Sequence, residues 1–110
     1  PIQIFGDGAQ TRDFLFVEDC ARFLVDYLCA DEAPLILNAG SGTKITIIDL
    51  ANLILEEKGQ ISHVPHPHPQ SEIHELLCDS TLAGQSLNWA PAIDLELGIH
   101  RNRTWLKEKL

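Results

Sequence analysis

Apolar positions along this chain fall into short groups, and their spacing predicts the first elements directly. Ile2 and Ile4 alternate with Gln3 up to Phe5, the period of a short half-buried strand. Gly6 and Gly8 follow, and glycine adopts backbone angles that cost other residues energy, so a tight turn is predicted between Phe5 and Gln10. Phe14 to Val17 is an unbroken apolar run, which predicts a strand covered on both faces. Asp19 is placed to cap a helix whose stripe of Ala21, Leu24, Val25 and Leu28 is expected in the core, with Arg22 and Asp26 outward. Asp31-Glu32-Ala33-Pro34 ends that helix near Ala30.

Leu35-Ile36-Leu37 reads as a compact buried strand leading into Asn38 and the loop Gly40-Ser41-Gly42. Thr46 with Asp49 resembles a capping box, and the helix it opens buries Leu50, Leu53 and Ile54 before stopping at Gly59. From Val64 to Pro69 every second residue is proline, which forbids helix and favours an extended, polyproline-like segment. Ile73 to Cys78 reads as a short strand. Asp79 or Ser80 then caps a short helix through Leu87. Asn88-Trp89-Ala90-Pro91 turns the chain, and Asp94 caps a last helix with Leu95, Ile99, Leu106 and Leu110 on or near its apolar face beside Trp105. The sum is a small mixed α/β fold with short strands and about four helices, taken as one domain over residues 1–110.

Charge narrows the partners. Eight basic and 16 acidic residues leave a net charge of −8, which repels nucleic acid and anionic membranes. No apolar run reaches the roughly 18 residues of a membrane span and no signal segment opens the sequence, so a soluble cytoplasmic protein is expected. Cys20 and Cys29 stand nine residues apart on one predicted helix, on opposite faces and roughly 13 Å apart along its axis, so they cannot bridge. With Cys78 they are expected as reduced, partly buried thiols.

Candidate chemistry is sparse. No serine sits in a nucleophile elbow, and Gly6-Asp7-Gly8 lacks the third glycine and the helix of a dinucleotide fingerprint. His63, His66, His68 and His74 could gather a metal, but an extended chain points alternate side chains apart and no second ligand pair supports them, so no metal is assigned. Arg12, at the exit of the glycine turn, offers a planar five-donor fork to a phosphate or carboxylate. Its spacing serves equally well for surface pairing with Asp13, Glu18 or Asp19.

Several segments in order resemble one family. Gly6-Asp7-Gly8-Ala9-Gln10-Thr11-Arg12-Asp13-Phe14-Leu15-Phe16-Val17-Glu18-Asp19 is similar to the "G-D-G-x-Q-x-R-D-F-x-x-V-x-D" stretch of nucleotide-sugar epimerases and dehydratases, the extended short-chain dehydrogenase/reductases. Asn38-Ala39-Gly40-Ser41-Gly42 resembles their "N-x-G-S-G" turn, and Thr46-Ile47-Ile48-Asp49-Leu50-Ala51 their "T-I-x-D-L-A" helix. Asp79-Ser80-Thr81-Leu82-Ala83, Leu87-Asn88-Trp89-Ala90-Pro91 and Leu95-Glu96-Leu97-Gly98-Ile99 look like "D-x-S-K-A", "L-G-W-x-P" and "L-E-E-G-I", with Trp105 at a closing tryptophan.

The resemblance implies the C-terminal, substrate-binding part of an NAD- or NADP-dependent enzyme, whose cofactor is bound mainly by an N-terminal Rossmann fold. Neither that fold's glycine-rich loop nor the family's Tyr-x-x-x-Lys pair occurs here, so the chain alone is expected to be inactive. Family roles carry Arg12 over to the nucleotide-sugar phosphates, Asn38 to the nucleotide, and Phe14 to an aromatic position near it. The family's second phosphate arginine, in an "R-P-G-D" loop, is replaced by His66-Pro67-His68-Pro69-Gln70-Ser71-Glu72, and His68 or Gln70 is expected to take over part of its contact. Apolar faces that would meet the Rossmann half are expected to be bare, and self-association is one way to cover them. The rival reading is a stand-alone binding or interaction module whose His-Pro loop takes a metal or a partner.

Overall fold

The computed structural model describes residues 1–55 and 59–110. The described elements are β1 (Ile2–Phe5), β2 (Thr11–Asp13), α1 (Val17–Cys29), β3 (Lys44–Thr46), α2 (Ile47–Leu55), β4 (Ile61–Val64), α3 (Thr81–Leu87) and α4 (Leu95–Lys109), with a 3-10 turn at Pro69–Ser71. Four helices and short strands in two small sheets make a mixed α/β fold, as the hydrophobic pattern predicts. The chain divides into two compact units, residues 1–12 with 44–77 and residues 13–43 with 78–110.

The first unit is built on β1 and β4, which pair in parallel with Ile2 opposite Ile61 and Phe5 opposite Val64. Ile4 is buried, as alternation requires. β4 is missing from the sequence reading because the proline run directly after it dominates that region's signal. Gly6 and Gly8 take φ of +75° and +77°, the left-handed region that the predicted turn needs. A Cβ at Gly8 would lie 3.1 Å from that of Ile48, so the turn packs closely against the start of α2. Thr46 caps α2 by accepting from the Asp49 N–H at 3.1 Å, while its hydroxyl donates to the Asp49 carboxylate at 2.6 Å. The predicted end of this helix at Gly59 follows residues 56–58, which lie outside the description. The strand predicted over Ile73–Cys78 is reduced to a single bridge between Thr11 and Glu75.

The second unit packs Phe23, Ala83 and Trp89 together, with Leu15, Leu37, Ala39 and Leu87 around them. Phe23 and Trp89 meet edge to face with ring centroids 5.4 Å apart. Asp94 accepts from the Leu97 N–H at 2.8 Å, the cap expected for α4. Ser80 holds the N-cap position of α3 without a side-chain capping bond, Asp79 before it accepts from the Thr81 N–H at 2.9 Å, and Asn88 closes that helix at φ +51°.

Several expectations for this unit are overturned. Phe14–Val17 is not a strand: β2 ends at Asp13, and Val17 already opens α1. Asp19 therefore lies inside the helix's first turn, only 2% exposed, rather than at its cap. The predicted core stripe of α1 is the uncovered one, with Leu24, Val25 and Leu28 at 54%, 57% and 81% exposure. Periodicity identifies which residues share a face and not what covers it. Leu35 and Ile36 are likewise exposed and form no strand, because no described segment offers their backbone a ladder partner. In α4 Gly98 is buried, where a Cβ would lie 3.0 Å from the Phe16 ring, while Trp105 and Leu106, and Leu110 just after the helix, are exposed. Cys20 and Cys29 are exposed free thiols rather than partly buried ones, and Cys78 is half-buried.

Candidate anion site and the loop clamp

In the first unit, β2 delivers Arg12 to the segment that follows the His-Pro run. Its Nη1 donates to the carbonyls of Thr11 at 2.7 Å and Ile73 at 2.8 Å, and its Nη2 donates to Oε1 of Glu72. The surface partner is thus Glu72, not Asp13, Glu18 or Asp19. An arginine has five N–H donors. Among the described residues three are engaged, leaving Nε–H and one Nη2 hydrogen on a guanidinium whose plane is already fixed.

Glu72 is held from a second side, since its Oε2 lies 2.6 Å from His66 Nε2. Partial burial would raise the Glu72 pKa, but hydrogen bonds from Arg12 and then His66, with the charge of Arg12, hold it below the usual carboxylate range. His68, the residue singled out from sequence, has an exposed side chain; its backbone N–H donates to His66 Nδ1 at 2.9 Å. Gln70 is exposed in the 3-10 turn. The imidazole in contact with Glu72 is that of His66. A proline on each side of His66 hid it, because the sequence pattern marks the segment as extended without saying which side chain faces inward.

In the second unit, Asn38 is exposed and Phe14 is 39% exposed. The loop after Asn38 is shaped by a residue the sequence reading passed over, Asp13. Its Oδ1 accepts from the Ser41 N–H at 2.8 Å and the Ser41 hydroxyl at 2.5 Å; its Oδ2 accepts from the N–H groups of Gly42 at 2.9 Å and Cys78 at 3.2 Å. Burial works against the Asp13 carboxylate, yet these donors, led by Ser41, lower its pKa. Gly40 is required beside them, since a Cβ there would fall 2.2 Å from Cys78 Cβ. A donor-rich glycine loop needs an acceptor, and the carboxylate of the Arg12-Asp13-Phe14 stretch supplies it.

Asp19 performs a similar task nearer the core. Its carboxylate accepts from Ala92 N–H at 3.0 Å, Ile93 N–H at 2.9 Å and Arg22 at 2.7 Å, while its backbone carbonyl accepts from Trp89 Nε1 at 3.2 Å. Burial is the largest influence and pushes its pKa up, but the combined donors, first Ile93 N–H and then Arg22, bring it below the ordinary 3.8. A cleft of about 710 Å3 in the same unit is bordered by Asp26, Asp31 and Glu32, whose charge repels a phosphate. Among the described residues no three His, Cys, Asp or Glu side chains gather as a metal site would require. His63 Nδ1 is hydrogen-bonded to the carbonyl of Gly6 at 2.8 Å. No described helix is long and apolar enough to cross a membrane.

The sequence model of the NAD dependent epimerase/dehydratase family matches residues 1–40. The UDP-glucuronate 4-epimerase of Thermodesulfobacterium geofontis is 32% identical over 117 residues, covering 100% of this chain and 34% of that protein. Among solved structures, Pal from Bacillus thuringiensis shares 48% identity and a TM-score of 0.94 over 100% of this chain and 36% of its own. The UDP-glucuronic acid 4-epimerase of Bacillus cereus, in complex with UDP-glucuronic acid and NAD, shares 26% identity and a TM-score of 0.85 over 100% of this chain and 36% of its own. The family model thus covers the first 40 residues, and the two nucleotide-sugar epimerases are similar to this chain over its length. The chain spans about a third of the length of the curated relatives it matches.

The Gly6–Gly8 turn does not fit the pyrophosphate of NAD. In the Gly6–Gly8 turn the Gly6 N–H already donates to Val64 at 2.8 Å, the Ala9 N–H to Asp7 at 2.9 Å, and Ile48 fills the space against Gly8. The donors and the room that a pyrophosphate cradle needs are taken.

Proposed function

We propose that this chain is the nucleotide-sugar-binding part of a longer, cytoplasmic NAD- or NADP-dependent epimerase or dehydratase. The observation that carries the reading is Arg12, whose guanidinium is held by two carbonyls and a carboxylate and, among the described residues, keeps two donors uncommitted. Those donors suit the diphosphate of a nucleotide sugar. Asn38 and Phe14 are assigned to the nucleotide, and His68 keeps a secondary role in phosphate contact. The epimerase complex with UDP-glucuronic acid and NAD supports the substrate class and the cofactor.

The cofactor is assigned mainly to a further domain of the longer protein, and the contribution of this chain is to bind and orient the substrate. Binding energy on the nucleotide fixes the sugar's reacting carbon, which raises the rate of chemistry carried by residues outside this sequence. The bare apolar stripe of α1, with Leu35 and Ile36, supports a longer protein or a self-associated one whose further surface covers it. Equilibrium titration of UDP-, dTDP-, CDP- and GDP-sugars into the full-length protein tests the reading: at least one is expected to bind in the micromolar range, and binding of none contradicts it. Turnover of a nucleotide sugar by the 110 residues alone would contradict the assignment of catalysis to other residues.

A further inference from the structure

We infer that His66 is a positioning residue that sets the orientation of Arg12 through Glu72. The role of Arg12 in binding a diphosphate rests on the reading above, but the link from His66 to Arg12 stands on geometry alone. Glu72 is gripped at both oxygens, by Arg12 at Oε1 and by His66 at Oε2. A carboxylate held at one oxygen pivots about that contact. Held at both, it is fixed in plane and presents a fixed acceptor to Arg12 Nη2.

His66 is itself restrained on several sides. A backbone N–H can only donate, so the 2.9 Å contact from His68 makes His66 Nδ1 an acceptor. In the neutral ring the proton therefore resides on Nε2, the atom that faces Glu72. The ring meets the edge of Phe5 with centroids 6.1 Å apart and planes at 70°. Pro65 and Pro67 flank it and restrict the backbone on either side. The alternating prolines thus acquire a purpose: a stiff strip of chain holds one imidazole still. The restraint runs from Phe5 and the His68 N–H to His66, then Glu72, then Arg12, all within the first unit.

His66→Phe keeps the ring packing and removes both hydrogen bonds, whereas His66→Gln places an amide N–H near the position of Nε2. Guanidinium rotation of Arg12, read by nitrogen-15 NMR without ligand, is expected to speed up in His66→Phe and to return towards the wild-type rate in His66→Gln. Affinity for UDP should weaken about tenfold in His66→Phe, as expected when a pre-set contact is loosened, and recover in His66→Gln. Unchanged Arg12 rotation in His66→Phe, or no recovery in His66→Gln, overturns the inference. So does a wild-type His66 protonated at Nδ1 rather than Nε2 in long-range nitrogen–proton spectra, a reading that requires no variant to fold. If Arg12 responds as stated but UDP does not bind the wild type, the positioning role stands and the proposed function falls.

Discussion

Arg12 donates from Nη2 to Oε1 of Glu72, 60 residues further along the chain. The pairing places a negative charge beside the proposed phosphate contact, so charge and positioning predict opposite outcomes when Glu72 is changed. Glu72→Gln keeps an oxygen for Arg12 and removes the charge; it is expected to bind UDP as tightly as wild type or more so. Glu72→Ala removes the acceptor, and about tenfold weaker binding is expected. Calorimetric titration at fixed salt checks both, and tighter binding by Glu72→Ala would favour charge over positioning.

The buried Asp19 predicts an acid limit to stability. Its pKa is below 3.8 in the folded chain, so the stabilisation it provides is complete above that ordinary value and is lost as pH falls through the lowered one. Asp13 is shifted in the same direction and adds to the effect. The thermal midpoint should hold steady to about pH 4 and drop below it. Asp19→Asn should flatten that acid limb, and Asp19→Ala, which strands the Ala92 and Ile93 N–H groups, should cost about 3 kcal/mol at neutral pH in denaturant titration.

Close packing at Gly40 predicts a second stability effect with a local signature. Gly40→Ala forces a Cβ to within 2.2 Å of Cys78 Cβ, and a loss of about 1–3 kcal/mol is expected from the overpacking. At Gly6 nothing lies within 4 Å of an added Cβ, and the penalty for alanine comes from the φ of +75° alone, about 1 kcal/mol. Hydrogen exchange should rise at Ser41 and Gly42 in Gly40→Ala, where the Asp13 clamp is disturbed, and stay unchanged there in Gly6→Ala.

The features legible in sequence are those decided within a few residues. The glycine turn depends on local backbone angles, and the Thr46–Asp49 and Asp94 caps on a side chain three positions from its partner. What escaped depends on distant partners. Asp19 looked like a cap because the acceptors of a capping carboxylate and of a buried clamp are the same chemistry, and the N–H groups of Ala92 and Ile93 lie 73 and 74 residues away. β4 was hidden because a parallel strand needs its partner β1 to be recognised. For the candidate site, Arg12 was legible from its glycine neighbours and its motif. Glu72 and His66 were not, since nothing near them in sequence marks the arginine they serve.

In the proposed function Arg12 is the main phosphate contact of a nucleotide-sugar site. Calorimetric titration of UDP-glucuronic acid into wild type and Arg12→Ala of the full-length protein tests it most directly, with Arg12→Lys alongside to separate charge from the forked geometry. Loss of about two orders of magnitude in affinity in Arg12→Ala with an unchanged far-ultraviolet spectrum, and only partial recovery in Arg12→Lys, is the predicted result. An unaltered dissociation constant in Arg12→Ala would contradict the claim and leave the arginine as no more than the structural partner of Glu72.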